Sequence, residues 1–282
     1  MKKILAAFLI PVLVSLPSTA MAQWQIGHRS FYHAASAGNT ITFVEAVGNT
    51  TAGTTASYNV TVTSTSTNDA LFIGVWDQTS TLSCAAGTAQ PTISFNQTAT
   101  ATLQTQTAST INSTHTCLYL YSLLNTPSAI TTVTTQQGSG DTSGGTVVLH
   151  FSSSGAWTGI DQNQTITTTS QGTPWASAGV TTTQTHEVLI GIVGMAVTTY
   201  NSGIQNAIAP TGSWTDYAIC AVTTAPCLTT ANSGGNLDAG NGGILGLGYQ
   251  IVTSTQTGIA FTGTNNSSTN VYANYPDITT YY

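Results

Sequence analysis

The sequence is nearly devoid of charge. Of its 282 residues only 4 % are Asp, Glu, Lys or Arg, with three basic side chains against nine acidic ones. Lys2 and Lys3 stand at the extreme N-terminus, so Arg29 is the sole cation over the rest of the chain. Nucleic-acid binding needs several cations to neutralise phosphates, and they are missing. Electrostatic attachment to anionic lipid is excluded on the same ground, and a chain whose only lysines lie in a leader cannot make lysine isopeptide crosslinks. Disorder driven by self-repulsion is excluded too, because 40 % of the residues are hydrophobic and few are charged.

Other signatures are absent. No CxxC pair supports a zinc site, and no Gly-x-Ser-x-Gly elbow supports a hydrolase nucleophile. His28 and His33 have no ligand-like spacing on a helix. No amphipathic helical pattern follows residue 22, and no apolar run beyond it reaches the roughly 20 residues that a membrane-spanning helix needs.

What is present begins with a leader. Lys2 and Lys3 precede an apolar stretch through residue 14, and Ala20-Met21-Ala22 offers a small-x-small cleavage pattern. The sequence predicts a signal peptide over residues 1–22, a mature start at Gln23 and a secreted, extracellular or cell-surface location. Losing Lys2 and Lys3 takes the net charge from −6 to about −8. Four cysteines, Cys84, Cys117, Cys220 and Cys227, fit an oxidising compartment. Proximity favours Cys84–Cys117 and Cys220–Cys227 among the three pairings that four cysteines allow. Few titrating groups imply a stability that varies little across the acid range.

The most apolar stretch of the mature chain is residues 188–197. Val188, Ile190, Ile192, Val193 and Val197 are β-branched, and Gly191 and Gly194 disfavour a helix. The run is apolar on both faces, which predicts a strand covered from two sides. Gly191 and Gly194 mark a close approach or a bulge. Further strands are predicted around residues 40–47, 58–63, 71–76, 117–124, 129–135, 147–151, 214–222, 245–251, 259–261 and 271–275, with weaker ones near Ile93, Phe95 and Leu103. Residues 78–90, 138–145, 155–164, 201–213 and 231–243 read as loops. In residues 245–251 the side chains of Leu245, Leu247, Tyr249 and Ile251 share one face. Gly246 and Gly248 leave the other smooth, so that a backbone or ring can lie there. Many short strands with turns between them predict an all-β fold, a single antiparallel β-sandwich over residues 23–282 with jelly-roll-like winding and two disulfides. Residues 23–39 form its first strand or a detached N-terminal one. No fixed repeat period stands out.

The order of Leu71-Phe72-Ile73-Gly74-Val75-Trp76, then residues 118–127, then Val147-Val148-Leu149-His150-Phe151, then residues 181–191 resembles a loose group of secreted bacterial β-sandwich domains of concanavalin-like or jelly-roll architecture. The resemblance covers residues 40–277 and implies an extracellular glycan-binding or surface role without assigned chemistry. Where that group often carries Glu in the strand at residues 147–151, this chain has His150.

Trp157 and Trp175, in loop-like contexts, are the candidate glycan-stacking residues, with Asn and Gln to bind hydroxyls. Asn236, Asp238 and Asn241 are a candidate calcium loop, although Asn and Asp also serve glycine turns; no other cofactor is expected. Seven Asn-x-Ser/Thr sequons, Asn49 and Asn96 among them, are present. The sequence favours a non-enzymatic structural or adhesive protein of the cell surface or matrix, which binds polysaccharide or self-associates by adding a terminal strand, residues 23–32 or 271–282, to a neighbour's sheet. The alternative is a glycoside hydrolase on a jelly-roll scaffold, its acids drawn from Glu45, Asp77, Asp141, Asp161, Glu187 and Asp216 and set about 5–10 Å apart. Trypsin should cut the denatured, exported chain once, after Arg29, and mass spectrometry of the digest should show a first peptide starting at Gln23.

Overall fold

A computed structural model of the chain describes residues 38–52, 57–79, 90–111, 114–138, 141–165, 175–197, 209–210, 213–221, 227–230, 242–264 and 271–282. The leader, residues 23–37, Cys84 and the calcium candidates Asn236, Asp238 and Asn241 lie outside them. Every described element is a β-strand and every pairing is antiparallel.

The first eight strands are β1 (Ile41–Ala52), β2 (Ser57–Thr61), β3 (Ala70–Thr79), β4 (Thr92–Phe95), β5 (Thr102–Ile111), β6 (Thr114–Leu124), β7 (Thr132–Gln136) and β8 (Asp141–Ser153). They make a five-stranded sheet in the order β1-β8-β3-β6-β5 and a three-stranded sheet in the order β2-β7-β4. The remaining nine are β9 (Ile160–Thr165), β10 (Trp175–Ala176), β11 (Glu187–Val197), β12 (Ala209–Pro210), β13 (Thr215–Ala221), β14 (Cys227–Thr230), β15 (Gly242–Val252), β16 (Thr262–Thr264) and β17 (Val271–Tyr281). They make a six-stranded sheet, β14-β13-β15-β11-β17-β9, and a three-stranded sheet, β10-β16-β12.

Alternation decides how these sheets stack. In β3, Ala70, Phe72 and Trp76 join Leu118, Leu120, Leu149, Val188, Ile190, Ile192, Leu245 and Leu247 in one buried cluster between the two large sheets. The intervening Leu71, Ile73 and Val75 face the other way, onto Val60 of β2, Val62 just past it and Val133 of β7. A strand apolar on both faces needs a cover on each side. The far face of the six-stranded sheet is covered differently. A side chain at Gly191 or Gly248 would run into the Phe261 ring, which lies on those glycines flanked by Trp175 and Trp214. The smooth strip expected around Gly248 therefore accommodates a ring.

The architecture is thus sandwich-like but has four layers, and its two halves share one strand order. Substituting β9 for β1, β11 for β3, β13 for β5, β15 for β6 and β17 for β8 converts the first large sheet into the second, with β14 added outside β13. β10, β12 and β16 likewise replace β2, β4 and β7. The correspondence extends to residues. Ala70 lies opposite Phe151 in one half, and Val188 opposite Tyr281 in the other. The first strand bulges against the last at the same place, between Phe43 and Glu45 in one half and opposite the step from Thr279 to Tyr281 in the other. Contacts between the large sheets exchange in pairs: β3 meets β15 as β11 meets β6, and β5 meets β17 as β13 meets β8. This is the pattern of an approximate two-fold axis passing near β3 and β11.

Positions on such an axis face their own equivalents. Gly74 and Ile192 are equivalent, and a Cβ on Gly74 would lie 3.3 Å from Ile192 Cδ1 and 2.7 Å from Leu247 Cδ1. Two large residues would collide there and two glycines would leave a void, so one of each fills the space. Two turns next to the strands take positive φ, at Asn125 (52°) and Ala129 (67°).

Several elements differ from the sequence expectation. Residues 155–164 were expected as loop, yet Ile160–Thr165 is a strand, because β17 supplies the pairing that a polar Asp-Gln-Asn-Gln run does not advertise. β8 begins at Asp141, inside the expected glycine loop, and β5 is ten residues long, where one weak strand was expected. The C-terminal strand pairs with both β11 and β9, so residues 271–282 are committed to their own sheet. Cys117 is buried, and the backbones of Cys220 and Cys227 are direct register partners.

Gly74→Val should cost roughly 1–3 kcal/mol by overpacking. Exchanging the pair, Gly74→Ile with Ile192→Gly, should recover part of the loss of the first change alone. Urea denaturation of the four members of this double-mutant cycle measures the coupling; strict additivity would remove the axis from this position.

Candidate functional site

Scarce ionisable groups are the natural place to look for chemistry, and two equivalent corners hold five of them. In each half an acidic residue opens the third strand. Asp69 directly precedes Ala70 of β3, and Glu187 directly precedes Val188 of β11. Each folds back on the turn before it: the Ser66 amide donates to Asp69 Oδ2 at 2.7 Å, and the Gln184 amide donates to Glu187 Oε1 at 3.0 Å. Both corners also take an acid from the bulge region of the first strand, Glu45 in one half and Asp161 in the other.

The first corner contains a histidine. His150 on β8 is 1 % exposed, its Nε2 2.9 Å from Asp69 Oδ2. Its Nδ1 lies 3.6 Å from Glu45 Oε1, beyond hydrogen-bond reach. Glu45 accepts from the Thr63 amide. The imidazole thus sits between two carboxylates, bonded to Asp69, and ties the 63–69 segment to the sheet.

The second corner has Thr280 at the position of His150, since Leu71 faces His150 and Leu189 faces Thr280. With no imidazole between them, the acids meet directly. Glu187 is fully buried. Burial pushes its carboxyl up to about 7, helped by the hydrogen bond and the charge of Asp161 and opposed by hydrogen bonds from Thr280 and the Gln184 amide. At Asp161 partial burial pushes upward, but the Thr183 hydroxyl and amide, Glu187 and Gln162 outweigh it and hold the carboxyl below its ordinary value. The Thr183 amide and hydroxyl both donate to Asp161 at 2.5 Å. Below about pH 7 the pair holds one proton, on Glu187.

These corners clamp loops onto sheets. Asp161 and Glu187 shift each other's carboxyl directly, and Glu187 is buried, whereas a glycosidase pair stands about 5–10 Å apart across an open groove. Asp77 and Asp277 are also buried; Asp141 and Asp216 lie on β8 and β13. Among the described residues no group of three or more His, Cys, Asp or Glu is arranged to hold a metal ion.

The tryptophans expected to stack on sugars are placed elsewhere. Trp157 is 4 % exposed, packs edge-on to Phe72, and donates from Nε1 to Asn68 O at 2.8 Å. Its backbone is held at both polar groups by Asn125. Trp175 is 2 % exposed and packs on Phe261. Neither ring offers a face to a ligand, because the stacked sheets bring even loop positions under cover. The Asn96 side chain is also engaged, accepting from the Thr131 and Thr132 amides and donating to Ala129 O. The Asp69–His150 contact was not foreseen. Its only sequence signal was a histidine at an otherwise apolar strand position and an acid at the foot of another strand.

No family model, curated protein or solved structure matches the chain.

The raised carboxyl has a signed consequence. A carboxyl whose folded value lies above its unfolded one stabilises the fold below about pH 4.5, and this contribution is lost as pH rises through about 7. A tenfold difference in proton affinity between the folded and unfolded chain is worth about 1.4 kcal/mol, so a loss of up to about 3 kcal/mol is expected over that interval. Asp161 acts with the opposite sign, only below its ordinary range. Urea midpoints measured from about pH 4.5 to 8 should fall with rising pH, and Glu187→Gln should flatten the profile. His150→Ala, which removes the imidazole from buried Asp69 and leaves it only the Ser66 amide, should cost roughly 1–3 kcal/mol by the same assay.

Proposed function

We propose that the chain is an exported, non-enzymatic structural or adhesive protein of the cell surface or matrix, and that it assembles by strand addition. The observation that carries this reading is where the charge has gone. Asp69, Asp77, His150, Glu187 and Asp277 are buried, so a chain already poor in charge presents mainly Thr, Ser, Asn and Gln to its surroundings. Edge strands without lysine lack the usual guard against sheet extension. With the C-terminal strand paired along β11 and its last residues, Asp277–Tyr281, also along β9, residues 23–32 are the terminal segment left for donation.

In this reading each half is a jelly roll whose fifth strand has moved from the small sheet to the large one, consistent with the orders β1-β8-β3-β6-β5 and β2-β7-β4. Cys84–Cys117 and Cys220–Cys227 are the disulfides it implies, the second supported by opposed register. It extends the resemblance to secreted bacterial β-sandwich domains. Self-association is favoured over polysaccharide binding because Trp157 and Trp175 are committed to the interior. A glycosidase is disfavoured because Asp161 and Glu187 are in contact.

Negative-stain electron microscopy of the protein purified from the medium should show ordered assemblies of many copies. Single dispersed particles at all concentrations, with protein retained on a polysaccharide matrix, would replace this reading with the glycan-binding one.

A further inference from the structure

We infer that residues 106–111 of β5 are the edge on which a second copy of the chain docks, its own β5 adding antiparallel across a two-fold axis. This rests on the assembly reading above and names the surface and the partner.

The repeated topology locates the surface. β13 and β5 are equivalent edge-side strands of the two large sheets, and in the second half β14 sits outside β13. Cys220–Cys227 and the three residue pairs beyond it build that extra strand. Among the described residues no strand sits outside β5. The fold therefore accepts a strand at this position in one half, and among the described residues leaves it open in the other.

The remaining edges are poorer acceptors. β2, β4, β9, β10, β12 and β14 are 2 to 6 residues long, and short edges pair weakly. β1 carries Glu45 beside a bulge and packs against β13 and β14. β5 also has a register shift, between Leu103 and Thr105, but beyond it residues 106–111 run in regular register along β6. Their sequence, Gln-Thr-Ala-Ser-Thr-Ile, contains no charge, proline or glycine. The irregular end is already engaged, because Asn163 of β9 donates to Gln104 O at 3.2 Å. On the same strand β9, Ile160 is 39 % exposed, one of three large hydrophobic side chains in the described residues that remain so.

A second β5 is the natural occupant. Antiparallel pairing of one strand with its own copy satisfies both edges and makes an isologous dimer, the unit that donation of residues 23–32 then joins into longer assemblies. Charge does not oppose it, because neither strand carries any. The pair joins two five-stranded sheets into one continuous sheet of ten strands.

The test uses the full mature chain. At the lowest concentrations light scattering on a sizing column should give the mass of two chains, with larger masses as concentration rises, and Gln106→Lys with Ser109→Lys should remove the two-chain species while the β circular-dichroism spectrum is kept. Hydrogen exchange of the unsubstituted protein should slow at residues 106–111 as concentration rises, and this decides the matter by itself if the substituted chain does not fold. Assemblies that persist in the double variant, with no protection at residues 106–111, overturn the β5 edge and leave assembly through another strand standing. A single-chain mass for the unsubstituted protein up to its solubility limit overturns both readings.

Discussion

The fold depends on a constraint visible in its two central strands: each is apolar on both faces. β3 and β11 cannot present either side to water, so each requires a sheet against its inner face and a cover on its outer one. The four layers follow from that requirement. The inner interface joins Phe72, Trp76, Leu118 and Leu149 to Ile190, Ile192, Leu245 and Leu247. The outer interfaces differ in device. One uses interdigitated Val, Ile, Leu and Tyr side chains. The other lays a single Phe261 ring across two glycines.

Repeating one topology in two halves allows the inner faces to complement each other without being alike. A symmetric pair of surfaces would place identical residues together at the axis, where equal volumes either collide or leave space. Gly74 against Ile192 resolves this, and Gly194, equivalent to Trp76, receives Leu118 in turn. The polar corners diverged in a parallel way. Both keep an acid at the foot of the third strand and another beside the bulge. One separates them with an imidazole, and the other lets them share a proton. In either case the desolvation cost of a buried carboxyl is offset locally, by a hydrogen bond to the imidazole in one corner and by protonation in the other. These are uses of charge that fasten a fold, in a chain with little charge to spare.

Much of this was readable beforehand. The strand at residues 188–197, its burial on two sides and the smooth strip at Gly246 and Gly248 followed from β-branching and alternation alone. The polar strands were not legible, because β9 and the first residues of β8 are paired through their backbones and carry no apolar signature. Nor was the repeat. The two halves share strand order and register, but Phe72 answers to Ile190 and Trp76 to Gly194, and loops of unequal length destroy any fixed period. The tryptophans misled for a related reason: a loop-like context says nothing of what lies above it.

The sequence by itself determined the class of the molecule, a β protein without the cations for nucleic acid, since strand propensity and composition are local properties. It also determined which strands are central, because two-sided apolarity is written along the chain. Only the tertiary structure decided that the strands repeat one winding, that His150 meets Asp69 and that Glu187 meets Asp161. Those outcomes depend on which backbones pair across gaps of 26 to 81 residues. Pairing is settled by the joint burial of whole sheets, which no single segment encodes.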